Sequence, residues 1–148
     1  MAERAAEVEL ALWFHDAVYD PGGPGNEQAS AELVRRVLGG MGVPIAAVER
    51  IAASVAATEH HRPVSADGAL VVDLDLNILG AESHIYDQFE RRIRREYAPV
   101  PVDIYRCGSG RVLQRFLRRP RIYHTAAMNE LLEAPARSNL RRAITALS

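Results

Sequence analysis

Leu70-Val71-Val72-Asp73-Leu74-Asp75-Leu76-Asn77-Ile78-Leu79 is the stretch on which the fold class turns. Its core, Val-Val-Asp-Leu-Asp-Leu, alternates with a period of two, as a half-buried strand does. A strand must pair its backbone groups with another strand, and nothing else in the chain reads as one. The segment is therefore expected to be a short helix closed by Gly80, and the chain to be all-α, a bundle of six to eight helices.

Outward from this segment the apolar spacing is helical throughout. Glu7 to Tyr19 is apolar on nearly every side (Val8, Leu10, Leu12, Trp13, Phe14, Val18), which predicts a central, buried helix. Asp20-Pro21-Gly22-Gly23-Pro24-Gly25 cannot continue it. Asn26 is an N-cap candidate for a second helix to Leu38, stopped by Gly39-Gly40. Pro44 opens a third, with Ile45, Val48, Ile51, Ala52 and Val55 on one face, running to about His60. Arg62 to Gly68 reads as a loop. Ile85, Phe89 and Ile93 mark a helix from about Glu82 to Tyr97. The Gly108–Gly110 region precedes or interrupts a helix carrying Val112, Leu113, Phe116 and Leu117, which Pro120 ends. Leu140, Ile144 and Leu147 mark the last one.

Composition narrows the function. The 148 residues suit one domain with a single core. No apolar run approaches the length of a membrane span, and the N-terminus lacks the basic start and apolar stretch of a signal peptide. A single cysteine, Cys107, excludes an internal disulfide and a cysteine zinc site. A cytoplasmic protein is expected, with any metal held by His and carboxylates. All 18 basic residues are Arg, so no lysine serves as a Schiff base or in a P-loop. Charge is segregated: residues 1–90 hold 5 Arg and 15 acids (−10), residues 91–148 hold 13 Arg and 4 acids (+9). Either the halves pack together, or the basic half attracts an anionic ligand to a metal held by the acidic half. Nucleic acid is disfavoured, because no basic stripe with interleaved aromatics is present.

Three features could carry chemistry: His15-Asp16, Thr58-Glu59-His60-His61, and Asp73 with Asp75 in an apolar segment. An aspartate in a buried helix needs a partner. Imidazole with several carboxylates is a ligand set for Mn, Fe, Co, Ni or Mg. Neighbours on a helix point about 100° apart, so His15 and Asp16 only flank an ion, and a third ligand must come from another helix. Asp75 is the candidate. Plainer readings stand beside each: a buried hydrogen-bonded His–Asp pair, a solvated helix end at His60-His61, and capping or an Arg ion pair at Asp73 and Asp75. His84 and His124 read as surface residues.

Several segments, in order, resemble the HD-domain superfamily, and most closely its branch of metal-dependent phosphohydrolases of unknown substrate. They are Ala11 to Pro21, with His15-Asp16 at its centre; Asn26 to Ala31; Thr58 to His61; Val72 to Gly80; Ile93 to Tyr97; Gly110 to Leu117; and Ile122 to Thr125. Together they cover nearly the whole chain. The resemblance implies a single helical domain over 1–148 with a divalent metal ion between helices. The family's doublet maps onto His15 and Asp16 and its distal aspartate onto Asp75, with Asp73 as fallback. His60 and His61 correspond to the place where binuclear members carry extra histidines.

The implied activity is hydrolysis of a nucleotide or small phosphoester by metal-activated water. Asp16 would bind the ion and orient the nucleophile. His60 or His61 would act on the leaving group or a second ion. Arg94 and Arg111 would pair with phosphate oxygens, where an ordinary surface ion pair is the alternative. Glu27 favours its helix dipole; a role at the site comes from the resemblance alone.

The family pattern begins with a histidine upstream of the doublet. Only 14 residues precede His15 and none is His, so this ligand and the family's N-terminal helices are expected to be missing. Lost helices, an internal start and truncation fit equally. Losing a ligand should cost at least the roughly 10–100-fold in affinity that an outer partner contributes. The first helix would also need another cover, and a second copy of the chain is the obvious one. The competing function is therefore a degenerate, non-catalytic module that dimerises or binds a nucleotide or protein partner.

Overall fold

The computed structural model describes residues 2–20 and 23–147. Among them the chain is all-α, with seven α-helices, one 3-10 turn and no strand. The helices are α1 (Ala5–Phe14), α2 (Asn26–Gly40), α3 (Ile45–Ala56), α4 (Ala66–Asp75), α5 (Ser83–Glu96), α6 (Val102–Leu117) and α7 (Ala126–Leu147). The 3-10 turn, Leu76–Gly80, comes directly after α4. The period-two stretch is thus helical. Its apolar residues suit a helix because Val71, Val72 and Leu76 are all buried. No helix among the described residues is long and apolar enough to cross a membrane.

The chain divides into two compact units, Met1–Asp75 and Leu76–Ser148. In the first, α3 packs against α1, α2 and α4. Val48, Ile51, Ala52 and Val55 of α3 interlock with Val8 and Ala11 of α1, Val34 and Leu38 of α2, and Val71 of α4. Polar ties fix the ends. Asp67 of α4 accepts the backbone N–H groups of Glu3 and Arg4 at 2.8 and 3.0 Å, closing the N-terminus of α1. Arg50 donates through two nitrogens to Glu7 at 2.8 and 2.6 Å.

Two expectations for α1 are corrected. The helix stops at Phe14 rather than Tyr19, and His15 is its C-cap. It is also not buried all round: Val8 and Ala11 are covered, whereas Trp13 is 76% exposed. All-round apolarity identified the helix but not its depth. Of the breaker after α1, Pro21 and Gly22 lie outside the described residues. Its flanks are held: Asp20 and Asn26 exchange side-chain and backbone hydrogen bonds at 3.0 Å, and Ser30 Oγ accepts from Val18 N–H at 3.1 Å. Asn26 is therefore a helical residue bonded backward. The N-cap position falls to Gly25, at φ +83°.

In the second unit α6 packs on α7, and the 3-10 turn lies against α5 and α7. Tyr86, Ile122, Tyr123, Ala136 and Leu140 are completely buried. Three polar bonds pin the 3-10 turn and Ala81 just after it. Tyr123 Oη donates to Leu76 O at 3.0 Å, and Asn139 Nδ2 donates to Leu79 O and Ala81 O at 2.9 and 2.8 Å. Glu133 accepts the N–H groups of Ile122 and Tyr123 and is paired with Arg137. The Gly108–Gly110 region neither precedes nor interrupts its helix: α6 runs through both glycines, where a Cβ would meet open space.

Candidate functional site

The chemistry-bearing side chains gather at one end of the first unit. Three segments bring them together: the exit of α1, the exit of α3 and the last residue of α4. His15 caps α1, and its Nδ1–H donates to the Leu12 carbonyl oxygen at 2.7 Å. That bond fixes the ring so that Nε2 faces carboxylates. Asp75 Oδ1 lies 3.4 Å from it and Asp16 Oδ2 3.3 Å.

The exit of α3 supplies the second imidazole. After Ala56 the chain tightens through bonds from Thr58 N to Val55 O and from Glu59 N to Ala56 O, and Thr58 Oγ1 donates to Val55 O at 2.7 Å. His61 then adopts the left-handed region at φ +53°, and Arg62 N–H closes the turn onto Ala57 O at 3.2 Å. A left-handed residue after a helix, with a bond back across the last turn, is how many helices end; glycine usually occupies the position. Here the reversal sets His61 Nε2 3.5 Å from Asp75 Oδ2. His60 is separated from it. Its side chain is 71% exposed, with Glu59 at 3.9 Å.

Asp75 is thus shared by two imidazoles, one on each oxygen. Burial pushes its carboxyl upward, but the hydrogen bonds from His15 and His61 outweigh it and hold the pKa at about 2. The Asp75 carboxylate in turn raises His15 to about 9, against desolvation and with help from the Leu12 carbonyl and Asp16. The resting state is an imidazolium between two carboxylates.

The candidates named from sequence divide accordingly. His15, Asp16, Asp75 and His61 come together. Asp16 does so from an exposed position, not from inside a buried helix, because α1 ends before it. Asp73 is completely buried, and two residues on a helix point about 200° apart, so it cannot share the site with Asp75. Glu27 stands in the first turn of α2, where it favours the helix dipole. Arg94 and Arg111 belong to the second unit. Arg94 is occupied by the carbonyls of Tyr97 and Val100, and Arg111 is exposed on α6. His84 and His124 are exposed, as expected.

No three His, Cys, Asp or Glu side chains among the described residues are placed to hold a metal ion as they stand. The donor types nevertheless suit one: two imidazoles and two carboxylates, with the Nδ1–H of His15 engaged by a carbonyl, as in histidines that bind metals through the other nitrogen. Sequence reasoning missed two parts of this arrangement, the carbonyl lock on His15 and the left-handed turn that separates His61 from His60. Neither leaves a signature in side-chain type. No protein-family model, curated protein or solved structure matches the chain.

Proposed function

We propose that the first unit carries the metal centre of a phosphohydrolase related to the HD-domain superfamily, with His15, Asp16, Asp75 and His61 as its donors. The observation that carries the reading is the orientation of His15. Its Nδ1–H is committed to Leu12, so Nε2 is the nitrogen that meets Asp75 and Asp16. The two carboxylates create a cation-favouring point, and a proton holds it in the resting state. A divalent ion such as Mn, Fe, Co, Ni or Mg would supply a lowered pKa for water and a polarised phosphoryl oxygen.

The chain's own groups have separable parts in this reading. Asp75 holds both imidazoles in place. Asp16, the most exposed of the four, is the one able to meet a water entering from solvent. His61 meets the other oxygen of Asp75 and completes the donor set, and His60 is left to solvent-side contacts. The substrate class is a small phosphoester.

The contacts His15–Asp75 and His61–Asp75 also suit a second reading, a non-catalytic relative in which the three side chains form a purely structural ion-pair chain. One experiment separates the two. Purified protein is titrated calorimetrically with Mn²⁺, Ni²⁺ and Mg²⁺ and assayed with a generic phosphodiester, a phosphomonoester and a nucleotide panel. The enzyme reading expects saturable metal binding, and turnover abolished by His15→Ala and Asp16→Ala. Metal binding that survives both substitutions, or none at all, leaves the structural reading.

A further inference from the structure

The second unit contains a cavity of about 500 Å³ among α5, α6 and the C-terminal end of α7. Its size falls in the range of small-molecule pockets, roughly 300–1,000 Å³. Four arginines line it, Arg91, Arg94, Arg106 and Arg142, against two carboxylates, Asp87 and Glu90. The carboxylates are committed. Asp87 accepts two bonds from Arg142 at 2.9 and 3.2 Å, and Glu90 accepts Tyr86 Oη at 2.7 Å.

The positive charge is not fully balanced. Arg94 is held by neutral partners, the carbonyls of Tyr97 and Val100, and stacks 4.7 Å from the centre of the Tyr105 ring. These contacts fix its position and leave its charge uncompensated. Arg91 and Arg106 are exposed; Arg91 acts on the Asp87 carboxylate through space, while the two bonds to that carboxylate come from Arg142. Beside them the wall is apolar: Val102, Ala143, Ala146 and Leu147. An excess of two positive charges facing a hydrocarbon wall is complementary to a dianion with an apolar body.

The geometry points to a binding site for a small organic phosphate in this cavity, its phosphoryl oxygens on Arg91 and Arg106 and its apolar part against Val102 and Leu147. The site lies wholly within the second unit, and its existence does not depend on the metal-centre reading of the first.

Phenylphosphonate is the probe, because its carbon–phosphorus bond resists phosphoester hydrolysis. Calorimetric titration of the full chain with chelator present is expected to show one saturable site, with inorganic phosphate weaker and benzyl alcohol without effect. Arg91→Ala and Arg106→Ala, both at exposed positions, should each weaken phenylphosphonate roughly tenfold, the loss of one charged hydrogen bond. Arg36→Ala, at an exposed position of the first unit, should leave it unchanged, and NMR shifts should centre on Val102 and Leu147. No saturation at millimolar phenylphosphonate overturns the proposal. So does equal binding of inorganic phosphate or benzyl alcohol, or affinity that ignores both arginine substitutions.

Discussion

His61 reaches Asp75 from a backbone turned into the left-handed region, its Nε2 3.5 Å from Oδ2 at φ +53°. Side chains with a Cβ pay roughly 1–2 kcal/mol for that conformation, although histidine is among the residues enriched there. The contact and the strain are therefore coupled, and substitutions can divide them. His61→Gly removes both, whereas His61→Ala removes the contact and keeps the strain. We expect His61→Ala to be less stable than His61→Gly by about 1 kcal/mol in urea unfolding. His60→Ala, at an exposed position, should fall within about 0.5 kcal/mol of the parent. If Ala and Gly at position 61 are equally stable, the left-handed turn is not where the structure places it.

Asp75 is the hub, because one carboxylate serves both imidazoles. Asp75→Asn keeps the shape and deletes the charge. His15 should then titrate well below its present value of about 9, toward the ordinary 6.5. Proton NMR of the imidazole C–H resonances reads this directly. The accompanying loss of stability should be about 1–3 kcal/mol, the scale of a charged hydrogen bond in a half-buried place. An unchanged His15 titration would exclude Asp75 as its main partner.

The pH dependence of the metal-free chain is set by the same pair. His15 is raised from 6.5 to about 9, so its contribution is complete below pH 6.5 and disappears as pH rises through about 9. Asp75 is depressed from 3.8 to about 2, so its contribution is complete above pH 3.8 and disappears as pH falls through about 2. The pair's contribution should form a plateau between pH 3.8 and 6.5. Its alkaline loss is on the order of 3 kcal/mol, counted once because the two shifts describe one interaction. Thermal unfolding with chelator present, followed by the loss of helical circular dichroism, reads it. His15→Gln should flatten the alkaline limb; persistence of that limb would assign it to another group.

Gly80 makes an independent prediction in the second unit. A Cβ at this position would lie 2.6 Å from Leu132 Cβ and 3.0 Å from Tyr123 Oη. The first contact is with an atom anchored to the backbone, and the second with a hydroxyl bonded to Leu76 O. Gly80→Ala should therefore cost about 1–3 kcal/mol by overpacking. Gly108→Ala faces open space within a helix and should stabilise by up to about 1 kcal/mol. Comparing the two in denaturant unfolding tests the tight packing of the 3-10 turn against α7.

Much of the architecture was legible because helical periodicity is a local property. Val48, Ile51, Ala52 and Val55 recur on one face of α3, and that face is buried. The breakers Gly39-Gly40 and Pro44 bracketed real boundaries for the same reason. Depth was not legible. The apolar residues of α1 read as central, yet Trp13 is exposed. Composition says which residues are costly to leave in water, not whether enough neighbours exist to cover them. The glycines of α6 misled in the opposite sense, because a weak helix former is tolerated where neighbouring turns carry the packing.

The amino-acid sequence by itself determined that this chain folds as helices, and that it has imidazole and carboxylate groups but no lysine and a single thiol, Cys107. Both come from residue identity and spacing along the chain. Only tertiary structure decided that His61 and not His60 joins His15 at Asp75, and that Asp16 stands in solvent. Those choices depend on backbone turns a few residues long and on which helix ends meet. They are set by distances between segments far apart in the chain, and no local pattern encodes such distances.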